Sequence, residues 1–319
     1  MKAVTIPNEH LKNAKQFITT KSYLIALTGT NVLVLTHKME LVKKIEGFRN
    51  AYDGFLSPDE TRLLILSTKM MFWMLSLESL EILWKSKLKE PRLVFAEGVG
   101  AWSIDGTRFY LIVQNIEKMK HWIRCYQADD PSNYRDKTLW KTPRLIYSMV
   151  RISTEASYAF LSQDLMEYFQ DSPERALILT VWKEGQLTEQ KLSAKEIPMK
   201  MEYQANIGKL VIYTTIGAFS CNLDGSKERD ILLGDESEAG QGGGLLKAEN
   251  AIRQIARSDN GKYVFVASEI GFEFFDFKSG ESLFFREYGW GVDNFTEIAP
   301  NVVGVCKYGG GATVFQIQD

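Results

Sequence analysis

The sequence predicts an all-β fold in which seven four-stranded antiparallel units close into a ring, and three observations predict it. Polar turns rich in Ser, Pro, Asp, Asn and Gly recur at residues 20–21, 57–59, 103–106, 153–155, 205–206, 258–261 and 299–301. Each turn is followed by a short run of β-branched, aromatic and aliphatic residues with almost no polar alternation. The turns stand roughly 38 to 53 residues apart, against about 40–50 residues for one blade of a β-propeller. A four-stranded sheet cannot bury both of its faces alone, so such units hold only when stacked side by side in a toroid. A seven-bladed propeller is the reading, with six or eight blades as the alternatives.

Taken in order, the strand that follows each turn is Tyr23–Leu27, Leu63–Leu66, Phe109–Val113, Tyr158–Leu161, Leu210–Tyr213, Tyr263–Ala267 and Val302–Cys306. Continuous apolar runs of this length fit strands covered on both faces. Third strands follow at Val32–Leu35, Met71–Leu75, Trp122–Tyr126, Leu177–Trp182, Ala218–Asn222, Gly271–Phe277 and Ala312–Gln316. Fourth strands such as Glu81–Trp84, Gln186–Leu192 and Ser282–Arg286 are more polar, which suits an outer rim where an edge meets water. The last unit has three strands, while Lys2–Ile6 precedes the first complete unit and has no partner there. Lys2–Ile6 is therefore expected to complete the last blade and close the ring. The expected organisation is one propeller domain over 1–319, with blades near 15–46, 48–88, 92–141, 144–193, 197–233, 250–288 and 291–319 and residues 1–7 as the closing strand.

Composition narrows the function classes. A hydrophobic content of 45% in 319 residues is ample for a packed core, and a net charge of -2 provides no field for attracting nucleic acid. The first sixteen residues contain no apolar signal segment, and the densest apolar run, Met70–Leu75, is too short to span a bilayer. No membrane association is expected. Cys125, Cys221 and Cys306 lie far apart inside predicted strands, so they read as small buried hydrophobes of a reducing, cytoplasmic protein.

The segments Ser-Pro-Asp-Glu at 57–60, Ser-Ile-Asp-Gly at 103–106 and Ser-Asp-Asn-Gly at 258–261, each opening an apolar strand, make the chain resemble the WD40-like propeller superfamily over its whole length. No Trp-Asp dipeptide ends a third strand and no Gly-His opens a blade, so the resemblance implies the architecture without the Asp-His network of standard repeats.

In a propeller, the loops from second to third strand and from one blade to the next open on a single face. Three long irregular stretches fall there, Gln114–His121, Ser162–Arg175 and Gly234–Asn250, and a fourth, Ala128–Lys137, falls on the opposite face. Clustered loop length marks a binding surface. Within Ser162–Arg175, Met166, Tyr168 and Phe169 are apolar anchors of the kind protein partners use. The starts of the innermost strands should ring the same mouth with Arg49, Tyr52, Asp53, Glu97, Tyr147, Arg151, Glu202, Arg253, Trp290 and Asp293. The Gly-rich stretch after Gly234 lacks the Gly-Lys-Ser/Thr ending of a phosphate loop, and Asp235, Glu236 and Glu238 show no ordered ligand alternation, so it reads as a linker.

No nucleophile elbow, no His-Glu-x-x-His and no close Cys or His ligand set is present, so no catalytic residue, metal or cofactor is expected. The reading is a non-catalytic interaction module or scaffold that offers one propeller face to a protein partner. Two alternatives stand beside it: a lactonase-like hydrolase or lyase using Glu97, Glu202, Asp293 and Asn294 around the channel, and a structural subunit of a larger assembly.

Overall fold

The computed structural model describes residues 2–6, 9–11, 13–89, 93–115, 117–141, 144–152, 157–164, 175–183, 185–194, 198–204, 208–214, 218–231, 252–276 and 279–318. The predicted turns at 153–155 and 205–206, the anchors Met166, Tyr168 and Phe169, and Gly234–Asn250 lie outside the described residues.

Seven four-stranded antiparallel sheets form seven blades. After β1 (Lys2–Ile6), blade one is β2 (Gln16–Thr19), β3 (Leu24–Leu27), β4 (Asn31–Leu35) and β5 (Leu41–Glu46). Blade two is β6 (Ala51–Leu56), β7 (Arg62–Ser67), β8 (Met71–Ser76) and β9 (Ile82–Lys87). Blade three is β10 (Val94–Trp102), β11 (Arg108–Asn115), β12 (Lys120–Gln127) and β13 (Tyr134–Trp140). Blade four is β14 (Arg144–Arg151), β15 (Ser157–Asp164), β16 (Arg175–Lys183) and β17 (Gln186–Ala194). Blade five is β18 (Pro198–Gln204), β19 (Lys209–Thr214), β20 (Ala218–Cys221) and β21 (Lys227–Ile231). Blade six is β22 (Ile252–Arg257), β23 (Tyr263–Ser268), β24 (Gly271–Asp276) and β25 (Ser282–Glu287). Blade seven is β26 (Val292–Ala299), β27 (Val302–Lys307) and β28 (Ala312–Gln318), and β1 pairs antiparallel with β28 as its outermost strand, Lys2 opposite Gln318 and Ile6 opposite Val314. The innermost strands β2, β6, β10, β14, β18, β22 and β26 touch in that order and β26 returns to β2, which closes the ring.

The core consists of layers between neighbouring blades. Leu63 and Ile65 of β7 pack with Ile25, Leu27, Val32 and Val34 of blade one, whereas the intervening Leu64 and Leu66 pack with Phe109, Leu111 and Val113 of blade three. Side chains alternate across a strand, so a strand with a neighbour on each side must be apolar at every position. Stacked aromatics fill the layer between blades two and three, with Phe109 and Tyr126 rings 4.9 Å apart and 11° from parallel. Cys221 and Cys306 are buried free thiols and Cys125 is half-buried. No helix among the described residues is long and apolar enough to cross a membrane.

Two predicted loops differ. Gln114–His121 is a tight hairpin, with Gln114 opposite His121 and Asn115 opposite Lys120, because the buried His121 ring reaches Gln114 Oε1 at 3.1 Å and carries the strand pairing to the turn. Ala128–Lys137 shrinks likewise, since β13 begins at Tyr134.

In blades two, three and six the turns between first and second strands share one hydrogen-bond pattern. Ser57 Oγ donates to Asp59 Oδ1 at 2.6 Å and accepts the Arg62 amide at 2.9 Å, while Asp59 Oδ1 accepts the Thr61 amide at 3.1 Å. Ser103, Asp105 and the amides of Arg108 and Thr107 repeat it at 2.6, 2.9 and 3.0 Å. In blade six Ser258 and Asn260 do the same with the amides of Tyr263 and Lys262. These bonds to the ionised form hold the Asp105 carboxyl at about 2, with Ser103 the largest contributor, and they lower Asp59 in the same way.

Two outcomes are expected. Removing residues 2–6 strips blade seven of its outer strand and bares the edge of β28, so the melting temperature should fall by about 5–10 °C in a thermal scan. Asp105 titrates below its ordinary value when folded, so its contribution to stability is complete above about pH 4 and is lost as the pH falls towards 2. Asp105→Asn keeps the turn, as Asn260 demonstrates, but removes the charge. Melts in pH steps should therefore show a shallower loss between about pH 4 and 2 than the parent protein; equal slopes would contradict this origin.

Candidate functional site

The innermost strands carry the site because, in six of the seven blades, the strand meets its second strand with a slip in register. The slip falls between Ala51 and Asp53, Ile146 and Ser148, Pro198 and Lys200, Ile252 and Gln254, and Val292 and Asn294. In blade three it spans Phe95 to Gly100, and blade one has none. A bulge leaves one residue out of the ladder and re-aims its side chain. Tyr52, Tyr147, Arg253 and Asp293, four residues of the predicted collar, occupy these bulges. Glu97 lies in the slipped stretch of blade three, with its side chain outside the described residues.

Three of the four converge. A cavity of about 470 Å³ at this mouth is lined by Gln16, Tyr52, Asp53, Arg253, Asp293 and Asn294, together with Gln254, Phe295 and Thr296. The Arg253 guanidinium stands 3.8 Å from Asp293 Oδ1, 3.7 Å from Glu269 Oε1 and 4.5 Å from the centre of the Tyr308 ring. Both ionic distances exceed hydrogen-bond length, so charge and the aromatic face hold the group in place without a bidentate clamp. Burial pushes the Asp293 carboxyl up, and the charges of Arg253 and Lys15 pull against that.

Below the bulges, side-chain amides tie neighbouring innermost strands together. Gln16 Nε2 donates to Asp53 Oδ1 at 3.1 Å, joining blades one and two. Gln254 donates to the Phe295 carbonyl at 3.1 Å and accepts the Phe295 amide at 2.7 Å, joining blades six and seven. Asn294 Nδ2 donates to the Lys15 carbonyl at 2.7 Å, joining blades seven and one.

Two exposed aromatic residues stand on loops of the same face. Trp290 is 81% exposed and Tyr308 53%. The Tyr308 amide donates to the Gly291 carbonyl at 3.2 Å, the Gly291 amide to the Tyr288 carbonyl at 2.8 Å, and the Tyr288 amide to the Ile270 carbonyl at 2.9 Å, so three loops are knitted together. Gly291 has φ +74° and its α-carbon lies against the backbone of Glu269 where no Cβ fits.

The other predicted residues separate. Arg49 is exposed on the blade-one-to-two loop, its carbonyl accepting the Ser67 hydroxyl. Tyr147 is half-buried and donates to Gln163 Oε1 at 2.9 Å, and Glu202 accepts the Tyr213 hydroxyl at 3.1 Å. Arg151 stands at the opposite mouth: β14 starts at Arg144, so Arg151 is its last residue and not near its first. Sequence reasoning missed Gln16, Gln254, Glu269 and Tyr308; the run Tyr308-Gly309-Gly310-Gly311 is the visible signal for the last. His121 is buried at the end of blade three with its basicity lowered by burial, away from this cavity. Among the described residues no three His, Cys, Asp or Glu side chains are grouped to hold a metal.

The chain has a seven-bladed β-propeller architecture. It superposes on the β-propeller domain of Cps50 (Swd1) from Myceliophteria thermophila with a TM-score of 0.68, covering 99% of this chain and 100% of that one at 10% sequence identity. At that identity the similarity is one of fold. No family model and no curated protein matches the sequence.

The close approach at Gly291 is testable against Gly309, which has a similar positive φ but open space around it. Gly309→Ala should cost about 1 kcal/mol in chemical denaturation, whereas Gly291→Ala should cost about 2–4 kcal/mol because the Cβ also meets backbone; equal losses would remove the packing argument.

Proposed function

We propose that the protein is a non-catalytic interaction module that binds a protein partner with the face bearing the cavity, Trp290 and Tyr308. The observation that carries this reading is Trp290, 81% exposed on a loop pinned by backbone hydrogen bonds on the face that bears the cavity. Leaving a tryptophan in water is unfavourable, and a rigid one loses little entropy when covered. Trp, Tyr and Arg are the residue types that dominate binding energy at protein interfaces; Arg253 lies against the Tyr308 ring with acids on either side of its guanidinium, and Trp290 is exposed on a neighbouring loop of the same face. Asp53 and Asp293 add polar discrimination at the cavity wall. A cytoplasmic location and a single propeller unit complete the reading. Met166, Tyr168 and Phe169 are a separate proposal for the same partner.

Affinity capture from the native source, followed by titration of the purified partner, tests it. Trp290→Ala and Tyr308→Ala should each weaken binding by about 2 kcal/mol, roughly thirtyfold, without changing the melting temperature. Ile104→Ser, on the opposite face at 48% exposure, should leave affinity unchanged. Loss with Ile104→Ser and none with Trp290→Ala would place the partner on the other face.

A further inference from the structure

At the far end of the channel, where the first-to-second-strand turns open, a second cavity of about 450 Å³ lies among the innermost strands of blades one to four. Its character is unlike the first. Ile18, Phe55, Leu56 and Trp102 form its walls, with Gly54 and Gly100 between them. A Cβ on Gly54 would collide with Ile18, and one on Gly100 would press on Phe55 and Leu111. These two positions therefore let Ile18 and Phe55 lie flat on the neighbouring strand instead of filling the channel.

The polar side chains in the wall are already engaged. The Trp102 indole N–H donates to the Phe55 carbonyl at 2.9 Å, and the Thr19 hydroxyl donates to the Glu297 carbonyl at 3.4 Å. Arg151 is the charged residue in the lining, and among the described residues no carboxylate or hydrogen-bond acceptor engages its guanidinium. What remains open to a ligand is apolar surface and one cation.

We propose that this cavity binds a small amphipathic carboxylate, an aliphatic or aryl acid of roughly ten to fifteen heavy atoms, sized to a pocket in the usual range for small ligands. The apolar body covers Ile18, Phe55, Leu56 and Trp102, and the carboxylate meets the planar fork of Arg151, which suits two parallel hydrogen bonds. A neutral apolar ligand of the same size would cover the walls but forgo the charge-assisted bonds to Arg151. This site lies on the opposite mouth from the proposed partner-binding face and stands or falls independently of it.

Isothermal titration of the full chain at pH 7 with decanoate, decan-1-ol and N-acetyl-Leu-Phe tests the assignment, in the parent protein, in Arg151→Gln and in Trp290→Ala. Arg151 is exposed, so its substitution should leave the melting temperature unchanged. Decanoate should bind saturably below its micellar concentration, about tenfold or more weaker in Arg151→Gln, and decan-1-ol should bind about tenfold more weakly than decanoate with no response to that variant. Trp290→Ala should bind decanoate like the parent. Absence of saturable decanoate binding, equal affinity for the alcohol, or an unchanged affinity in Arg151→Gln would each overturn the proposal. Tighter binding of the acetylated dipeptide would replace the free acid with a polypeptide carboxy terminus.

Discussion

A blade of this protein has two apolar faces and a neighbour is the only cover for either, so the burial of both faces governs the rest of the structure. In β7, Leu63 and Ile65 look to one neighbour and Leu64 and Leu66 to the other, all of them buried. Each such side chain contributes about 1.5–3 kcal/mol when removed from water. A blade standing alone would forfeit that on both faces, which is why the sheets are stable as a closed set. The layers are unequal. Between blades five and six the described apolar layer is thin, Ile255, Val264, Val266 and Phe275 with Tyr213 against them.

Near the axis the demand reverses. The innermost strands converge there, and what they present is decided at each end of the channel separately. Bulges turn Tyr52, Arg253 and Asp293 into one mouth, and the amides of Gln16, Gln254 and Asn294 satisfy the backbone and carboxylate groups just below. At the other mouth Ile18 and Phe55 lie across glycine backbone and make an apolar wall. One ring thus carries two cavities with different side chains in their linings, separated by the depth of a strand.

The turns and second strands were legible because their causes are local. Ser-x-Asp turns close through their own hydrogen bonds, and a strand covered on both faces shows its apolar run without reference to any partner. The bulges were not legible, since a slip in register belongs to a pair of strands and leaves no mark in either one. Arg151 was placed at the wrong mouth with Tyr147, because β14 runs eight residues from Arg144 and ends on it at the far end of the channel. His121 looked like loop chemistry beside Lys118 and Lys120, yet its ring is buried against Gln114. Glu269 meets Arg253 within blade six through the pairing of its first two strands, and Tyr308 meets it only because blades six and seven are adjacent, a fact of ring geometry and not of spacing along the chain.

The pairing of β1 with β28 joins a strand made before the six intervening blades to one made after them, and this sets a timetable for synthesis. Blades one to six can assemble from consecutive segments as they leave the ribosome, but β1 has no partner until β28 emerges. During that interval an amphipathic strand with Val4 and Ile6 waits as an unpaired edge, competent to join any other exposed edge it meets. The slowest and most error-prone step of biogenesis should be this final latch, and its natural failure is a latch fastened to a second copy of the chain, a domain-swapped dimer formed at the moment of closure.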